Sequence, residues 1–230
     1  MTQPRCSRCV LSAAFPGIGF DGDGVCSVCR DDVAMTRLDE AHARAAKQVS
    51  ELFATRHAPY DAIVCNSGGK DSSYTLALAV RKYGLRVLSF TLDNGFLSPA
   101  AFDNIRSVTS ALGVEQLTYR PSLPFFRKVI RATAILPIYR EQTLTRISAG
   151  CNACISLVNT MALRLALEKD IPFILAGFTL GQIPASSIVF RNHFRFFADS
   201  RKESLANLTA AVGAEVDHYY NLPDSLLDRV

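Results

Sequence analysis

The sequence lacks the features that direct a chain into a membrane or out of the cell. No apolar run in its 230 residues reaches the roughly 18 residues that a membrane-spanning helix needs. The N-terminus, MTQPRCSRC, contains no apolar stretch of the kind found in signal peptides. These absences predict a soluble, cytoplasmic protein without membrane contact.

A strong excess of charge of one sign is also missing. The net charge is +4, which by itself does not predict nucleic-acid binding, and histidine-rich metal runs are absent. Hydrophobic residues make up 49% of the chain, so a full core can be buried. The length fits one α/β domain with a small appendage.

Cysteine, in contrast, is plentiful. Six of the seven cysteines fall in C-x-x-C pairs, which in a chain without an export signal indicate metal or redox chemistry rather than structural disulfides. Cys6 and Cys9 form one pair and Cys26 and Cys29 another, at a spacing typical of a four-thiolate zinc ribbon. Residues 1–32 are therefore predicted to form a ribbon stabilised by structural Zn²⁺. Structural zinc typically contributes on the order of 10–16 kcal/mol to folding. The alternative to a zinc site is a set of four buried cysteines without a metal.

The remainder of the chain alternates helical and strand-like patterns. Residues 33–58 place apolar residues at helical spacing and predict a linker helix that packs the ribbon onto the main domain. Residues 59–230 form that domain, in which the strand-like runs DAIVC, RVLSFTL, EQLTYR and IPFILAG are separated by helical stretches. The stretch after DAIVC is predicted to start at Ser72, the stretch after RVLSFTL at Pro99 with Ser98 as its N-cap, and the stretch before IPFILAG at Ala153. This order predicts an α/β fold with a parallel, doubly wound sheet, whose ligands bind at the carboxyl ends of the strands.

The segment NSGGKDSS, residues 66–73, directly follows the first strand-like run. It differs from the common nucleotide loop G-x-x-x-x-G-K-S/T, because its two glycines are adjacent and an aspartate follows the lysine. Backbone N–H groups, a lysine charge and serine hydroxyls together predict an anion site, and the aspartate suits Mg²⁺ that also binds the phosphates. The residues predicted to bind the nucleotide here are Ser67, Gly68, Gly69, Lys70, Asp71, Ser72 and Ser73.

SGGKDSS after a strand resembles the S-G-G-x-D-S pyrophosphate loop of the PP-loop ATP pyrophosphatase superfamily. TLDNG, residues 91–95, is similar to the same superfamily, and the resemblance covers roughly residues 60–185. It implies cleavage of ATP to AMP and pyrophosphate, adenylation of a substrate oxygen, and displacement of AMP by sulfur or nitrogen. It further implies catalytic roles for Lys70 and Asp71, and positions beside the nucleotide or its metal for Asp93 and Gly177.

A third cysteine pair, Cys151 and Cys154, lies in GCNACISL before a long helical stretch. The resemblance to tRNA thiolation enzymes implies that this pair is catalytic, either as ligands of a [4Fe–4S] cluster or as a sulfur-handling pair. The helix start predicts a lowered thiol pKa. A metal site completed by another ligand, and an inert pair, are the alternatives. No cysteine follows Cys154 in the chain, so Cys65 is the remaining candidate for a third functional cysteine. It lies one residue before the phosphate loop, and its alternative role is that of a strand-core residue.

The segment RCVLSAAFPGIGFDGDGVCSVC resembles the N-terminal part of the N-acetyl sugar amidotransferases, which take ammonia from a glutaminase partner. The leading prediction is a sulfurtransferase. The first alternative is nitrogen insertion on a small molecule such as an N-acetyl sugar. The second alternative is a non-catalytic module that binds ATP. A small-molecule substrate is favoured over tRNA, although residues 186–204 are basic and aromatic. A sulfur donor or glutaminase partner, and a homodimer, belong to the same prediction.

Overall fold

The structure is a computed structural model that describes residues 4–15, 17–30, 33–55, 59–144, 147–178, 189, 191 and 201–227. The described residues form two compact units. The first contains residues 4–49 and 189, and the second contains residues 50–178, 191 and 201–227.

Backbone contacts connect the described residues around the four cysteines of the first unit. Two isolated antiparallel bridges pair Arg5 with Ser12 and Phe20 with Cys26. Within the segment that the second bridge closes, Asp21 Oδ1 accepts hydrogen bonds from the N–H groups of Asp23 (3.1 Å) and Val25 (2.8 Å), which closes the turn that returns the chain to the second cysteine pair. A short helix, α1 (Ser27–Arg30), follows.

The helix predicted over residues 33–58 is shorter in the structure. Helix α2 spans Val33–Leu52, and residues 56–58, including His57, lie outside the described residues. The chain leaves the helix where Phe53 becomes buried and packs edge-to-face against Tyr83 and Phe173. Burial of this ring in the second unit gives a physical reason for the earlier helix end.

Four parallel strands form the sheet of the second unit, as predicted. Strands β1 (Ala62–Cys65), β2 (Val87–Leu92), β3 (Glu115–Tyr119) and β4 (Phe173–Ala176) lie in the order β3-β2-β1-β4. All six residues of β2 are buried, which is the pattern of a central parallel strand covered on both faces. The order reverses between β1 and β4, and ligands bind at such switch points in open α/β sheets.

Helices cover both faces of the sheet. They are α3 (Lys70–Ala77), α4 (Pro99–Leu112), α5 (Leu123–Ile135), α6 (Glu141–Leu144), α7 (Ala149–Glu168), α8 (Lys202–Val212), α9 (Glu215–Tyr220) and α10 (Asp224–Leu227). Helix α3 contacts α4, β1 and β4, whereas α7 contacts α5, α9 and the three strands β1, β2 and β4. Right-handed crossovers place α3 and α4 on one face and the helices between β3 and β4 on the other. Helix α3 continues as a π-helical turn, Leu78–Lys82.

The starts of two helices differ from the sequence-based expectation. Helix α4 begins at Pro99 with the Ser98 side chain as its N-cap, as predicted. Helix α3, however, already begins at Lys70 and α7 at Ala149, so Lys70, Asp71 and Cys151 lie in first helical turns rather than in loops. Cys154 lies one turn further along α7.

Helix α7 also corrects the expectation that no segment has the length and composition of a membrane span. Among the described residues, Ala149–Glu168 alone is long and apolar enough. Its buried side chains, including Leu157 and Met161, belong to the same apolar cluster as Ile63 and Phe90 of the sheet. A core helix of a soluble domain has this composition.

Candidate active site and metal centre

The loop after β1 is built around a buried asparagine, Asn66. Its Oδ1 accepts hydrogen bonds from the N–H of Gly68 (3.0 Å) and the hydroxyl of Ser72 (3.3 Å). Its Nδ2 donates to Ser89 Oγ in β2 (3.3 Å). Asn66 therefore connects the loop to the neighbouring strand and to the first turn of α3. The sequence analysis gave it no role, and the one signal for it is its position directly after a strand.

Gly68 is required by close packing against α4. Its φ is +75°, and a Cβ at this position would lie 2.4 Å from the carbonyl oxygen of Ala101. The carbonyl of Gly68 accepts a hydrogen bond from Asn104 Nδ2 at 3.0 Å. Gly68 therefore has a packing role, because only glycine fits between the loop and α4.

The start of α3 leaves its amide groups without a side-chain cap. Gly69 occupies the N-cap position and no side chain caps the helix, whereas Ser98 and Ser148 cap α4 and α7. Backbone N–H groups at an uncapped helix start, together with the helix dipole, form a favourable site for an anion. The start of α3 therefore leaves backbone N–H groups open to an anion, and nucleotide binding there stays a prediction.

Two charged side chains stand at this helix start. Lys70 is 87% exposed in its side chain, and its Nζ lies 2.9 Å from Oδ1 of Asp71, which is 43% exposed. Both groups are thus accessible to a ligand. Ser72, in contrast, is buried, and its hydroxyl oxygen lies 3.2 Å from Ser67 Oγ and 3.1 Å from the Gly69 carbonyl oxygen, so its one hydrogen is shared among these neighbours and Asn66. In this structure Ser72 therefore stabilises the loop, and its contact with a phosphate stays a prediction, as does that of Ser73.

Gly177, directly after β4, lies against the same helical turn. A Cβ at Gly177 would lie 2.8 Å from the carbonyl carbon and oxygen of Asp71 and 2.9 Å from the backbone nitrogen of Ser72. The end of β4 therefore approaches the backbone of α3 more closely than any other residue type would allow. The phosphate loop and Gly177 meet at the β1/β4 switch point of the sheet.

Asp93, at the carboxyl end of β2, joins two strand ends. It is buried, and its Oδ1 accepts from the N–H of Gly95 at 3.0 Å. Its Oδ2 accepts from Arg120 Nε at 2.6 Å, and Arg120 directly follows β3. Both carboxylate oxygens thus hold protein groups, and contact with a nucleotide or its metal stays a prediction. Arg120 was missed in the sequence analysis, although its place at a strand end was a usable signal.

The pair Cys151 and Cys154 lies beside this same turn. Asn94 Nδ2 donates to Cys154 Sγ at 3.3 Å, which places the start of α7 at the carboxyl end of β2. The N–H of Cys151 donates to the capping Ser148 Oγ, also at 3.3 Å. Cys151 is exposed and Cys154 is half-buried. The cysteine pair thus lies near the carboxyl end of β2, and the phosphate loop follows the adjacent strand, β1.

The lowered thiol pKa expected from the helix start is wrong for Cys154. Burial raises the pKa of Cys154 above its ordinary value, the hydrogen bond from Asn94 opposes this shift, and the charge of Cys151 adds to it. The helix dipole acts mainly within the first turn of a helix, and Cys154 lies beyond that turn. Burial therefore decides the direction of the shift.

Cys65 has the surroundings of a core residue. It is the last residue of β1, paired in register with Phe90 and Ala176, and it packs against the main apolar cluster. Burial raises the pKa of its thiol to about 12. These surroundings favour the strand-core interpretation over that of a third functional cysteine.

The four N-terminal cysteines form a cluster in the first unit that could hold a metal ion. The sulfur atoms of Cys6, Cys9, Cys26 and Cys29 all lie within 4.8 Å of one another. Cys9 Sγ and Cys26 Sγ are 3.7 Å apart, too far for a disulfide and close to the ~3.8 Å expected for two thiolates on one tetrahedral zinc ion with Zn–S bonds of about 2.3 Å. The donor set and its spacing thus fit a tetrahedral metal ion.

Backbone amides favour the ionised form of one of these thiols. The N–H groups of Cys26 (3.2 Å) and Arg8 (3.4 Å) donate to Cys6 Sγ. Burial acts to raise the pKa of Cys6, but bonds from the N–H groups of Cys26, Cys9 and Arg8 outweigh it and lower the pKa to about 6. A hydrogen bond with Cys9 and burial raise the pKa of Cys29 to about 12. Sulfur atoms this close share protons. A bound cation would replace those protons and allow all four sulfurs to be thiolates.

Part of the predicted substrate region lies outside the described residues. The basic, aromatic stretch over residues 186–204 includes His193, Phe194, Arg195 and Phe196, none of which the structure describes. Residues 179–188 lie outside as well. Arg201, at the far end of the stretch, is described and lines a cavity of the second unit.

Comparisons with known proteins give distant similarities. No family model matches the chain. An uncharacterized protein of Methanocaldococcus jannaschii is 24% identical over 181 residues, which cover 76% of this chain and 59% of that protein. The chain thus spans less than two thirds of the length of this relative.

Among solved structures, the chain is similar to an NMN synthetase from Francisella tularensis (13% identity, TM-score 0.39, 83% of this chain and 74% of that one). It is also similar to the U34-tRNA thiolase NcsA from Methanococcus maripaludis, solved with its [4Fe-4S] cluster (12% identity, TM-score 0.41, 100% of this chain and 72% of that one). A third similar structure is a predicted subunit of a tRNA methyltransferase from Methanocaldococcus jannaschii (14% identity, TM-score 0.35, 74% of this chain and 72% of that one). Similarities this distant carry no information on substrate or reaction.

Proposed function

We propose that the protein is an ATP pyrophosphatase that adenylates an oxygen of a small-molecule substrate. The observation that carries this proposal is the uncapped start of α3 at the β1/β4 switch point, with an exposed Lys70 and a partly exposed Asp71 in its first turn. A site that binds the β- and γ-phosphates there would hold the group that leaves when the substrate oxygen attacks the α-phosphorus. The products of that step would be an adenylated substrate and pyrophosphate.

Each residue of the site has a role in this reaction. The amides at the start of α3 and the Lys70 ammonium would stabilise the negative charge that develops on pyrophosphate. Asp71 would hold Mg²⁺, directly or through water, and the metal would neutralise phosphate charge. Asn66 keeps the loop in shape through its bonds to Gly68 and Ser89. Gly177 permits β4 to approach the helix start.

The second half of the proposed reaction is replacement of the adenylated oxygen by sulfur. Cys151 and Cys154 support it, because α7 starts beside the DNG turn at the carboxyl end of β2. The pair would act as ligands of an iron–sulfur cluster or as sulfur carriers, with sulfur supplied by a donor. Insertion of nitrogen, with ammonia from a glutaminase partner, is the alternative. The raised pKa of Cys154 favours this alternative over a free thiolate nucleophile.

The first unit is proposed to bind structural Zn²⁺ through its four cysteines. Four thiolates leave no open coordination position, so the ion would stabilise the fold of the unit and would take no part in the reaction. A cytoplasmic location, a homodimer and a small-molecule rather than tRNA substrate complete the proposal.

The decisive experiment measures the nucleotide products and the role of the helix start. We expect AMP and pyrophosphate, detected by ³¹P NMR, when the protein is incubated with Mg·ATP and a metabolite extract. Lys70→Ala is expected to weaken Mg·ATP binding at least tenfold in calorimetry, because an ammonium near phosphate contributes about 1.4 kcal/mol or more. Asp71→Asn is expected to lower turnover.

Lys128→Ala is the matched control, because Lys128 is an exposed lysine on α5. It is expected to bind and turn over ATP like the wild type. Formation of ADP and phosphate instead of AMP and pyrophosphate would contradict the proposal. If Lys70→Ala bound Mg·ATP like the wild type, the start of α3 would not be part of the nucleotide site.

A further inference from the structure

A polar cavity lies in the second unit, on the side of α7 that does not carry the cysteine pair. It has a volume of about 150 Å³ and is bounded by α7, α8, the end of α9 and the segment that leads into α6. Seven of its nine lining residues carry a polar side chain, so the cavity is not a packing defect of an apolar core. The polar groups that matter most are those of Tyr139, Asn152, Ser156, Arg201, Ser204 and Tyr220.

The one cationic group in the cavity wall belongs to Arg201. Arg201 NH1 donates to Thr160 Oγ1 at 2.9 Å, so the guanidinium is held in place from the α7 side. Burial lowers the pKa of Arg201, which shows that its charge is partly removed from water. Among the described residues that line the cavity there is no aspartate or glutamate. The nearby carboxylate of Glu203 is paired with Arg140 at the exposed surface.

The walls are fixed by hydrogen bonds that do not depend on a ligand. The Tyr220 hydroxyl donates to the carbonyl of Ala153 at 3.2 Å, which holds α9 against the start of α7. Asn207 Nδ2 donates to the carbonyl of Ile138 at 3.2 Å, which holds α8 against the segment that carries Tyr139. A preformed site of this kind binds a ligand with little loss of conformational entropy.

The cavity and the cysteine pair share one turn of α7. Asn152 lies between Cys151 and Cys154 in α7, and Ser156 lies one turn further on the same face as Asn152. The bond from Asn94 to Cys154 places this part of α7 at the carboxyl end of β2. The cavity and the cysteine pair therefore lie on different sides of the same turn, and this turn is the structural link between the cavity and the candidate active site.

We propose that this cavity binds the acidic group of the substrate, a carboxylate or phosphate, through Arg201 and the surrounding hydroxyl and amide groups. The assignment of the ligand as the substrate rests on the proposed function. The existence of an anion-binding site in the cavity does not. A guanidinium with hydroxyl donors is the donor set that recognises an oxyanion. A cavity of about 150 Å³ has room for roughly the size of a benzene molecule, which fits an acidic group and a few attached carbons.

The test is a titration of the ¹⁵N-labelled full-length protein, at constant ionic strength, with propionate and with inorganic phosphate. We expect saturable shifts of the backbone amides of residues 152–156 and 202–205 with at least one of the two anions. Response to propionate alone assigns a carboxylate ligand, and response to phosphate assigns a phosphate ester. Shifts at residues 67–73 report the phosphate loop separately.

Two variants test the cavity independently. Arg201→Gln is expected to weaken anion binding at least tenfold. Ser204→Leu retains Arg201 but fills part of the cavity, and it is also expected to weaken binding at least tenfold, so it decides the matter if Arg201→Gln does not fold. Arg131→Gln removes an exposed arginine of α5 and is expected to bind like the wild type. Absence of shifts at the cavity with both anions, or wild-type binding by the folded cavity variants, would overturn the proposal.

The cavity and the proposed function can fail separately. Lys70→Ala is expected to lose ATP turnover and yet to bind the anions in the cavity. Cavity binding by a wild-type protein that never converts ATP to AMP would refute the proposed function and leave the anion site standing. ATP turnover without anion binding at the cavity would overturn this inference alone.

Discussion

Gly177→Ala is the substitution that tests most directly how the site is assembled. The added Cβ would lie 2.8 Å from the carbonyl carbon and oxygen of Asp71 and 2.9 Å from the nitrogen of Ser72. Carbon atoms in ordinary contact are about 3.5–4.0 Å apart, so the end of β4 or the first turn of α3 must move by about 0.7 Å or more. The contacting atoms are backbone atoms, so no side-chain rotation can relieve the overlap.

Both stability and activity should record this movement. Overpacking of a well-packed region typically costs about 1–3 kcal/mol, and we expect the free energy of unfolding in urea to fall by that amount. A displacement approaching 1 Å at a reacting centre can cost about a hundredfold in rate, so we expect ATP turnover to fall by roughly 10- to 100-fold. Mg·ATP binding should weaken as well, because the start of α3 is displaced.

Gly150→Ala is the matched control. Gly150 lies in the first turn of α7, and a Cβ there would meet only Ile130 Cδ1, at 3.9 Å, which is an ordinary contact. Alanine is favoured over glycine in helices by up to about 1 kcal/mol, so this variant should be as stable as the wild type or more so. If Gly177→Ala matched the wild type in stability and turnover, the close approach of β4 to α3 would be refuted.

Two further predictions concern the cysteines. Asn94→Leu should raise the pKa of Cys154 further, because the hydrogen bond from the Asn94 side chain, which favours the thiolate, is lost. The alkylation rate of Cys154 should therefore rise at a higher pH than in the wild type. An unchanged pH profile would mean that the Asn94 contact does not form in solution. The purified protein should hold one metal ion per chain in its first unit, and Cys26→Ser should lose that ion because a buried ligand of the four is removed; equal metal content in the two proteins would exclude the four-cysteine site.

The sequence predicted the strands and strand-end loops well because their signals are local. The apolar run before NSGGKDSS became β1, and the DNG turn and Gly177 both lie at strand ends, as expected. The start of α4 was also predicted, since Ser98 and Pro99 are strong local signals. The early starts of α3 and α7 were not predicted. Gly69 offers no capping side chain as a signal, and Ser148, which does cap α7, lies before a glycine and a cysteine pair that suggested a loop.

Long-range contacts account for what the sequence could not provide. Arg120 meets Asp93 only because β3 lies beside β2 in the sheet. Arg201 reaches Thr160 only because α8 packs near α7. Neither pairing has a periodicity or motif that reveals it in one sequence. The lowered pKa expected for Cys154 failed for the same reason, since burial arises from packing and outweighs the helix position.

The surroundings of Cys154 also rank the roles proposed for it. A thiol with a raised pKa is mostly protonated at neutral pH, so it is a weak nucleophile on its own. Coordination to a metal deprotonates a thiol outright, and a cluster-bound Cys154 would therefore not need an activating base. Asn94, which donates to the sulfur, is compatible with that state, because a thiolate accepts hydrogen bonds. For the proposed sulfur transfer, these surroundings therefore favour a role of Cys154 as a cluster ligand over a role as a free thiolate. A purified protein without iron would instead shift the balance to nitrogen insertion, for which the pair needs no reactive thiolate.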